Sequence, residues 1–205
     1  MENVYLIDTV RTPVGKYGGS LSSIRPDDMA SYVIRAIIER NPIEGHHIND
    51  VIVGCANQAG EDNRNIARMS ALLANLPETV PGVTVNRLCA SSLEAIIQGA
   101  RAIKSGEADM IIAGGVESMS RAPYSIPKNV SGAAMFGNLT AYDTALGWRY
   151  PNKKMEILFP LETMGETAEN VAKQWNIGRE EQDVFAFQSQ EKYAHALASG
   201  KWNDE

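Results

Sequence analysis

Cysteine is scarce in this chain. Cys55 and Cys89 are the only two in 205 residues, too few for a disulfide framework at this size, so reduced thiols in a cytoplasmic setting are expected. Histidine is nearly as sparse, with His46, His47 and His195. The adjacent pair reads as two exposed loop histidines before a strand, and no metal site is expected. No apolar run approaches the roughly 18 residues that a membrane-spanning helix needs. The first residues, Met1-Glu2-Asn3-Val4-Tyr5-Leu6-Ile7, put an acid where a signal peptide carries base, and their apolar run is too short for one. Excess positive charge is absent as well. The net charge is −6, which gives no support for nucleic acid or an anionic membrane as partner. What is present is ordinary for a soluble globular protein: 44% hydrophobic and 21% charged residues, in a chain long enough for one substantial core or one core plus an excursion.

Apolar strands alternate with amphipathic helices over the first part of the chain. Val4–Val10 reads as a buried first strand, followed by a glycine-rich loop over residues 11–20. That loop lacks the Gly-Lys-Ser/Thr ending of a phosphate-binding loop and reads as structural. Pro26-Asp27-Asp28 opens a helix with proline and acids in its first turn. Its stripe of Met29, Ala30, Val33, Ile34, Ile37 and Ile38 is expected to face the sheet. Val51–Cys55, Val83–Val85 and Met110–Gly115 read as further strands, and Asn65–Ala74 as a second helix. This alternation implies a mostly parallel sheet with helices on both faces, with the chemistry at the carboxyl ends of the strands. After Ser120 the periodicity breaks. An irregular but packed excursion runs to about residue 162, and two helices then follow, the first opened by the capping box Thr163-Met164-Gly165-Glu166.

The most chemically loaded stretch is Val83-Thr84-Val85-Asn86-Arg87-Leu88-Cys89-Ala90-Ser91-Ser92. A strand ends at a tight corner, the corner carries a cysteine, and small residues lead into a helix. Leu93, Ile96, Ile97, Ala100 and Ile103 mark that helix as part of the core, and Lys104-Ser105-Gly106 ends it. A cysteine at a helix N-terminus meets free N–H groups and the positive end of the helix dipole, which favour the nucleophilic thiolate. The alternative for Cys89 is a small buried hydrophobe.

Asn86-Arg87-Leu88-Cys89-Ala90-Ser91-Ser92 resembles the nucleophile segment of the thiolases, enzymes that cleave or form 3-oxoacyl-CoA. The Arg11-Thr12-Pro13 region, Glu117-Ser118-Met119-Ser120, Gly165-Glu166-Thr167-Ala168-Glu169-Asn170-Val171-Ala172 and Arg179-Glu180-Glu181-Gln182-Asp183 resemble thiolase segments too, so the likeness covers residues 4 to about 203. The run Gly54-Cys55-Ala56-Asn57-Gln58-Ala59-Gly60-Glu61-Asp62-Asn63-Arg64-Asn65 is similar to the branch acting on 3-oxoadipyl-CoA and related acyl-CoA substrates.

The resemblance implies an α/β fold with two similar sheet domains and a loop domain inserted in the first. Residues 1–120 are then expected to form the thiolase N-terminal domain with four strands, and residues 121–205 part of the loop domain. The family's fifth strand and second domain are expected to lie outside this chain. The resemblance also implies ping-pong acyl transfer. Cys89 would hold the acyl group as a thioester and its N–H would be one oxyanion donor. An activating histidine, a second cysteine and the remaining donors would come from the second half, without which this chain would be inactive. Coenzyme A and acyl-CoA would be substrates, with no tightly bound cofactor, and a homodimer or tetramer is implied. Met164 matches a methionine that lines the acyl pocket, and its other reading is an ordinary apolar contact at a helix start. Arg64 either selects a carboxylate-ended acyl tail or forms a surface ion pair with Glu61 or Asp62. Two further readings stand beside the enzyme: a catalytically silent assembly module, and a relative of the ketoacyl synthases, against which the Glu-Ser-Met-Ser and Ala-Glu-Asn-Val segments count.

Overall fold

Three parallel strands, β1 (Asp50–Gly54), β2 (Gly82–Val85) and β3 (Ile111–Gly115), frame the computed structural model, which describes residues 3–128, 138–203 and 205. The sheet order is β2-β1-β3. Val51 lies opposite Gly82 and Ile112, and Gly54 opposite Val85 and Gly115. β1 is the middle strand, and Val51, Ile52 and Val53 are all buried. A strand covered on both faces has no solvent side, which is why its sequence reads as a continuous apolar run rather than an alternation.

The helices sit where their caps place them. α1 (Pro26–Arg40) starts on proline, with Asp27 and Asp28 in its first turn. α2 (Ile66–Leu73) is capped by Asn65, whose side chain accepts the Arg68 N–H at 3.2 Å. α3 (Ser91–Ser105) stops at Gly106, which takes the left-handed conformation at φ 76°. Successive residues of β1 point to opposite faces. Val51 and Val53 share a core with Ile66, Ala67 and Ala71 of α2 and with Ile34 of α1. The opposite face, with Ile52 and Gly54, lies under α3. Helices therefore cover both faces of a parallel sheet, as expected.

Three local expectations need correction. The apolar stripe of α1 lies chiefly against α2 rather than against the sheet. Val4–Val10 pairs with no strand, and Tyr5, Leu6 and Ile7 are 75%, 80% and 71% exposed. Apolar composition supplies strand propensity, but a strand exists only as a paired state, and neither open edge of the β2-β1-β3 sheet takes this segment. The sheet therefore has three strands among the described residues, not four. The third correction concerns α3. Its buried residues are Ser91, Ala95 and Gly99, a row of small side chains at four-residue spacing, while Leu93 and Ile96 are 58% and 47% exposed. The small row faces the sheet and brings the helix close to it, and part of the apolar stripe points away.

Compactness divides the chain between Leu146 and Gly147, a different kind of boundary from the family-based limit expected at residue 120. In the first unit, a single 3₁₀ turn (Met119–Arg121) follows β3, and β4 (Tyr124–Ser125) pairs antiparallel with β5 (Tyr142–Asp143). Residues 129–137 of the expected excursion lie outside the described residues. In the second unit, α4 (Lys153–Leu158), α5 (Met164–Trp175) and α6 (Arg179–Ala198) follow in order. The expected capping box is present: Thr163 Oγ1 accepts the Glu166 N–H at 3.3 Å, and Glu166 Oε2 accepts the Thr163 N–H at 2.7 Å. β4, β5 and α4 are too short for periodicity to register. Among the described residues no helix is long and apolar enough to cross a membrane.

Candidate active site

The corner after β2 is built from side chains that serve backbone groups. Asn86 Oδ1 accepts the Leu88 N–H at 2.9 Å. Ser91 Oγ accepts the Arg87 N–H at 2.9 Å and donates to the Leu88 carbonyl at 2.5 Å. Between these ties Leu88 has φ 49°, a left-handed conformation that a branched side chain adopts at a cost. The resulting reversal turns Cys89 outward. Its thiol is exposed and free, one residue before the α3 N-cap Ala90. Among the described residues no acceptor takes the Cys89 N–H, so one residue just before the N-cap of α3 presents a backbone donor and a thiol together. Arg87 Nε meets Glu94 at 2.8 Å and fastens the corner to the first turn of α3.

Two glycines let that turn come close. A Cβ on Gly54 would lie 2.3 Å from Ser91 C and Ser92 N, and one on Gly115 would lie 1.8 Å from Ser92 Oγ. Both glycines occupy the carboxyl ends of their strands, side by side in the register. The site thus lies at the carboxyl edge of a parallel sheet, as the topology predicts.

The loop after β1 joins the same edge. Asn86 Nδ2 donates to the Ala56 carbonyl at 2.9 Å, and the Glu117 carboxylate, just past β3, accepts the Ala56 and Asn57 N–H groups at 2.9 and 3.3 Å. Beside it opens a cavity of about 670 Å³, walled by this loop, the head of α1 and the turn after β3. Arg25 Nε and Nη2 donate to the two Asp27 oxygens at 2.9 and 2.7 Å, and its Nη1 to Glu61 at 3.0 Å. Arg121 donates to both Glu61 oxygens at 2.5 and 2.6 Å. The Arg121 guanidinium holds the Glu61 carboxyl below the usual carboxylate range. Arg64 also lines the cavity, with φ 65°, and makes no ion pair or hydrogen bond among the described residues.

The surface ion pair considered for Arg64 is therefore not formed. Glu61 is taken by Arg25 and Arg121. Asp62 is buried, with Oδ1 accepting the Gly60 N–H at 2.9 Å and Oδ2 facing Cys55 Sγ at 3.9 Å. Cys55 is 1% exposed, and burial, with the charges of Glu117 and Asp62, pushes its thiol up to about 12. Sequence reasoning missed Arg25, Glu61 and Arg121 as a cluster, because no spacing rule connects residues 36 and 60 positions apart. A weak signal was available, since arginine directly before a Pro-Asp-Asp helix start stands beside the acids of its own first turn. Met164 is the first residue of α5 in the second unit and is 76% exposed. His46 and His47 lie on the segment leading into β1, at the opposite end of the sheet from Cys89, and His195 is in α6.

The family model described as "Thiolase, N-terminal domain" matches residues 4–205. The chain is 55% identical to a beta-ketoadipyl-CoA thiolase of Acinetobacter baylyi over 207 aligned residues, covering all of this chain and 51% of that protein. It is 52% identical to the 3-oxoadipyl-CoA/3-oxo-5,6-dehydrosuberyl-CoA thiolase of Escherichia coli K12, covering 98% of this chain and 50% of that one. The crystal structure of the Bacillus anthracis acetyl-CoA acetyltransferase superposes with a TM-score of 0.82 at 35% identity, over 95% of this chain and 48% of the other. The chain spans about half the length of the curated relatives it matches.

Proposed function

The chain belongs to the thiolase family through its N-terminal domain, and from that membership we propose that Cys89 is the acyl-accepting nucleophile of an acyl-CoA C-acyltransferase. The observation that carries the reading is the exposed Cys89 thiol on a strained corner at the head of α3. In the degradative direction the Cys89 thiolate attacks the keto carbonyl of a 3-oxoacyl-CoA, forming a carbon–sulfur bond. The adjacent carbon–carbon bond breaks, its electron pair leaves on the acetyl-CoA enolate, and a protonated general acid delivers the proton that completes acetyl-CoA. Coenzyme A thiolate then attacks the thioester. The acyl group leaves on coenzyme A, one acetyl unit shorter, and the Cys89 thiolate is restored. The Cys89 N–H serves as one donor to the oxyanion. The histidine and second cysteine that move the protons are proposed to lie in sequence matching the other half of the relatives, and transfer requires that half. Coenzyme A enters as substrate, with no tightly held cofactor.

The names of the relatives support a carboxylate-ended acyl substrate of the 3-oxoadipyl class. Met164 is proposed as part of the acyl pocket, and a dimer or tetramer as the assembly. Two free thiols fit a reducing cytoplasmic setting. The test is acetyl transfer from acetyl-CoA together with intact-mass analysis, with the chain alone and supplied with the complementary half of a relative. An acetyl adduct on Cys89, lost in Cys89→Ala and turned over only with the complement, is expected. An adduct elsewhere, or transfer surviving Cys89→Ala, refutes the proposal. A second reading, a silent assembly module, is favoured by one observation, the exposed Leu93 and Ile96 of α3. Light scattering at micromolar concentration tests it, and a strict monomer removes it.

A further inference from the structure

We propose that the cavity walled by the loop after β1, the head of α1 and the turn after β3 is a carboxylate-binding pocket, with Arg64 as the guanidinium that meets the end of an aliphatic acid. This deepens the acyl-transfer reading, on which it rests for the identity of the ligand, by locating the recognition of the tail.

Three arginines and two carboxylates surround the space. Each carboxylate is already engaged by guanidinium. Glu61 accepts three guanidinium N–H groups, and Asp27 accepts two from Arg25 and the N–H of Asp28. Arg25 and Arg121 are spent on those bonds, while the fork of Arg64 has no partner among the described residues. The pocket therefore carries one uncompensated positive charge, on the group whose planar donors match a carboxylate in pairs. Its neighbouring acids are neutralised and repel an incoming anion little.

The walls suit an aliphatic chain. Ala59, Met69 and Pro123 line the same space, with Pro123 packed against Gly60 so closely that a Cβ there would lie 2.9 Å from it. An apolar patch beside one unpaired cation, in a cavity whose other charges are paired with each other, favours a hydrocarbon segment ending in an acid over one ending in a methyl or an amide.

Position supports the assignment. The head of α1, the loop after β1 and the turn after β3 all belong to the carboxyl edge of the sheet, where Cys89 sits. The Asn86–Ala56 bond ties the corner directly to the Arg64 loop. Arg64 is held in the left-handed region by a loop that its neighbours over-determine: Asn63 donates its N–H and Nδ2 to the Gly60 carbonyl at 3.0 and 2.5 Å, and Asp62 holds the Gly60 N–H. Backbone strain of this kind persists where the surroundings fix it, and here it aims a long cation into a cavity.

The experiment is a titration of the 205-residue chain followed by backbone-amide NMR, with adipate, hexanoate and the uncharged adipamide as probes at constant ionic strength. Adipate and hexanoate are expected to shift the amides of Gly60, Asn63 and Arg64 in a saturable way, and adipamide is not. Arg64→Gln should raise the Kd for adipate about tenfold or more, and Arg64→Lys should recover part of it. Retained dispersion of the spectrum confirms the fold of each variant. Equal affinity of adipate for wild type and Arg64→Gln, equal shifts with adipamide, or no saturable shift overturns the proposal. Because the measurement reads no chemistry at Cys89, loss of acyl transfer with this binding intact strikes only the acyl-transfer reading.

Discussion

Gly54→Ala isolates the contact that places Cys89. At Gly54 an added Cβ would lie 2.3 Å from Ser91 C and Ser92 N and 2.6 Å from Ser91 O. All three are backbone atoms of the first turn of α3, and β1 is wedged between two other strands, so neither side yields by a rotamer change. Reaching ordinary contact requires about 1 Å of separation, and overpacking of that size in a close-packed interior costs about 1–3 kcal/mol. With backbone on both sides, the upper half of that range is expected. Gly114 is the control. It lies one strand away, where a Cβ meets nothing within 4 Å, and alanine there should be neutral or stabilising by up to about 1 kcal/mol through the unfolded chain. Displacing Ser91 also pulls on its two bonds to the Leu88 corner. A shift near 1 Å at a reacting group is worth up to about a hundredfold in rate. The assay pairs urea unfolding with iodoacetamide alkylation of Cys89 at fixed pH. Gly54→Ala should lose about 2–3 kcal/mol and change the alkylation rate several-fold, while Gly114→Ala changes neither by much. Equal midpoints and equal alkylation rates for the two variants would refute the claim that the glycine approach positions Cys89.

Three further outcomes follow from individual contacts. Cys55 is buried with its thiol raised from 9.0 to about 12, so the folded state keeps a proton that the unfolded chain releases. Its contribution is whole below about pH 9 and falls by up to about 1.4 kcal/mol per pH unit as pH rises toward 12, and urea midpoints against pH should show this slope flattened in Cys55→Ala. Ser91→Ala removes the acceptor of the Arg87 N–H and a donor to Leu88; a loss of about 1–3 kcal/mol is expected, checked by denaturation, with a Cys89 alkylation rate that departs from wild type. Thr163→Ala breaks the capping box of α5 at a cost of about 1 kcal/mol, read as faster hydrogen exchange at Glu166 and Thr167, with Thr163→Ser close to wild type.

Local signals in the sequence carried α1, α2, α3, α5 and α6, and the three strands that pair. Pro26 as first helical residue, Asn65 and Thr163 as N-caps, and Gly106 and Asn176 as left-handed stops all act where they stand in the chain, so a reading of neighbours finds them. Cys89 was legible for the same reason, since the corner, the small residues and the helix start are contiguous. The arginine pocket was not. Glu61 is reached by Arg25 and Arg121 from distant parts of the chain, and only the α/β topology brings the head of α1 and the turn after β3 to one edge. Arg64 could be singled out in the sequence, but its freedom from a partner depends on those two competitors.

The two larger misreadings have one physical origin. Val4–Val10 and the stripe through Leu93 and Ile96 are apolar, and both were assigned to a core; in the structure both are exposed. Periodicity reports that a face is apolar, not which surface covers it. The covered face of α3 is instead the Ser91–Ala95–Gly99 row, which any hydrophobic scale ranks low. Its value is steric: small side chains let α3 approach β1 and β3 until the glycines at Gly54 and Gly115 are required. Close approach fixes the first turn of the helix against two strands, and a fixed first turn holds Leu88 left-handed and Cys89 outward. The placement of Cys89 is thus set by residues of small volume, while Leu93 and Ile96, which carry part of the apolar signal, face away from the sheet.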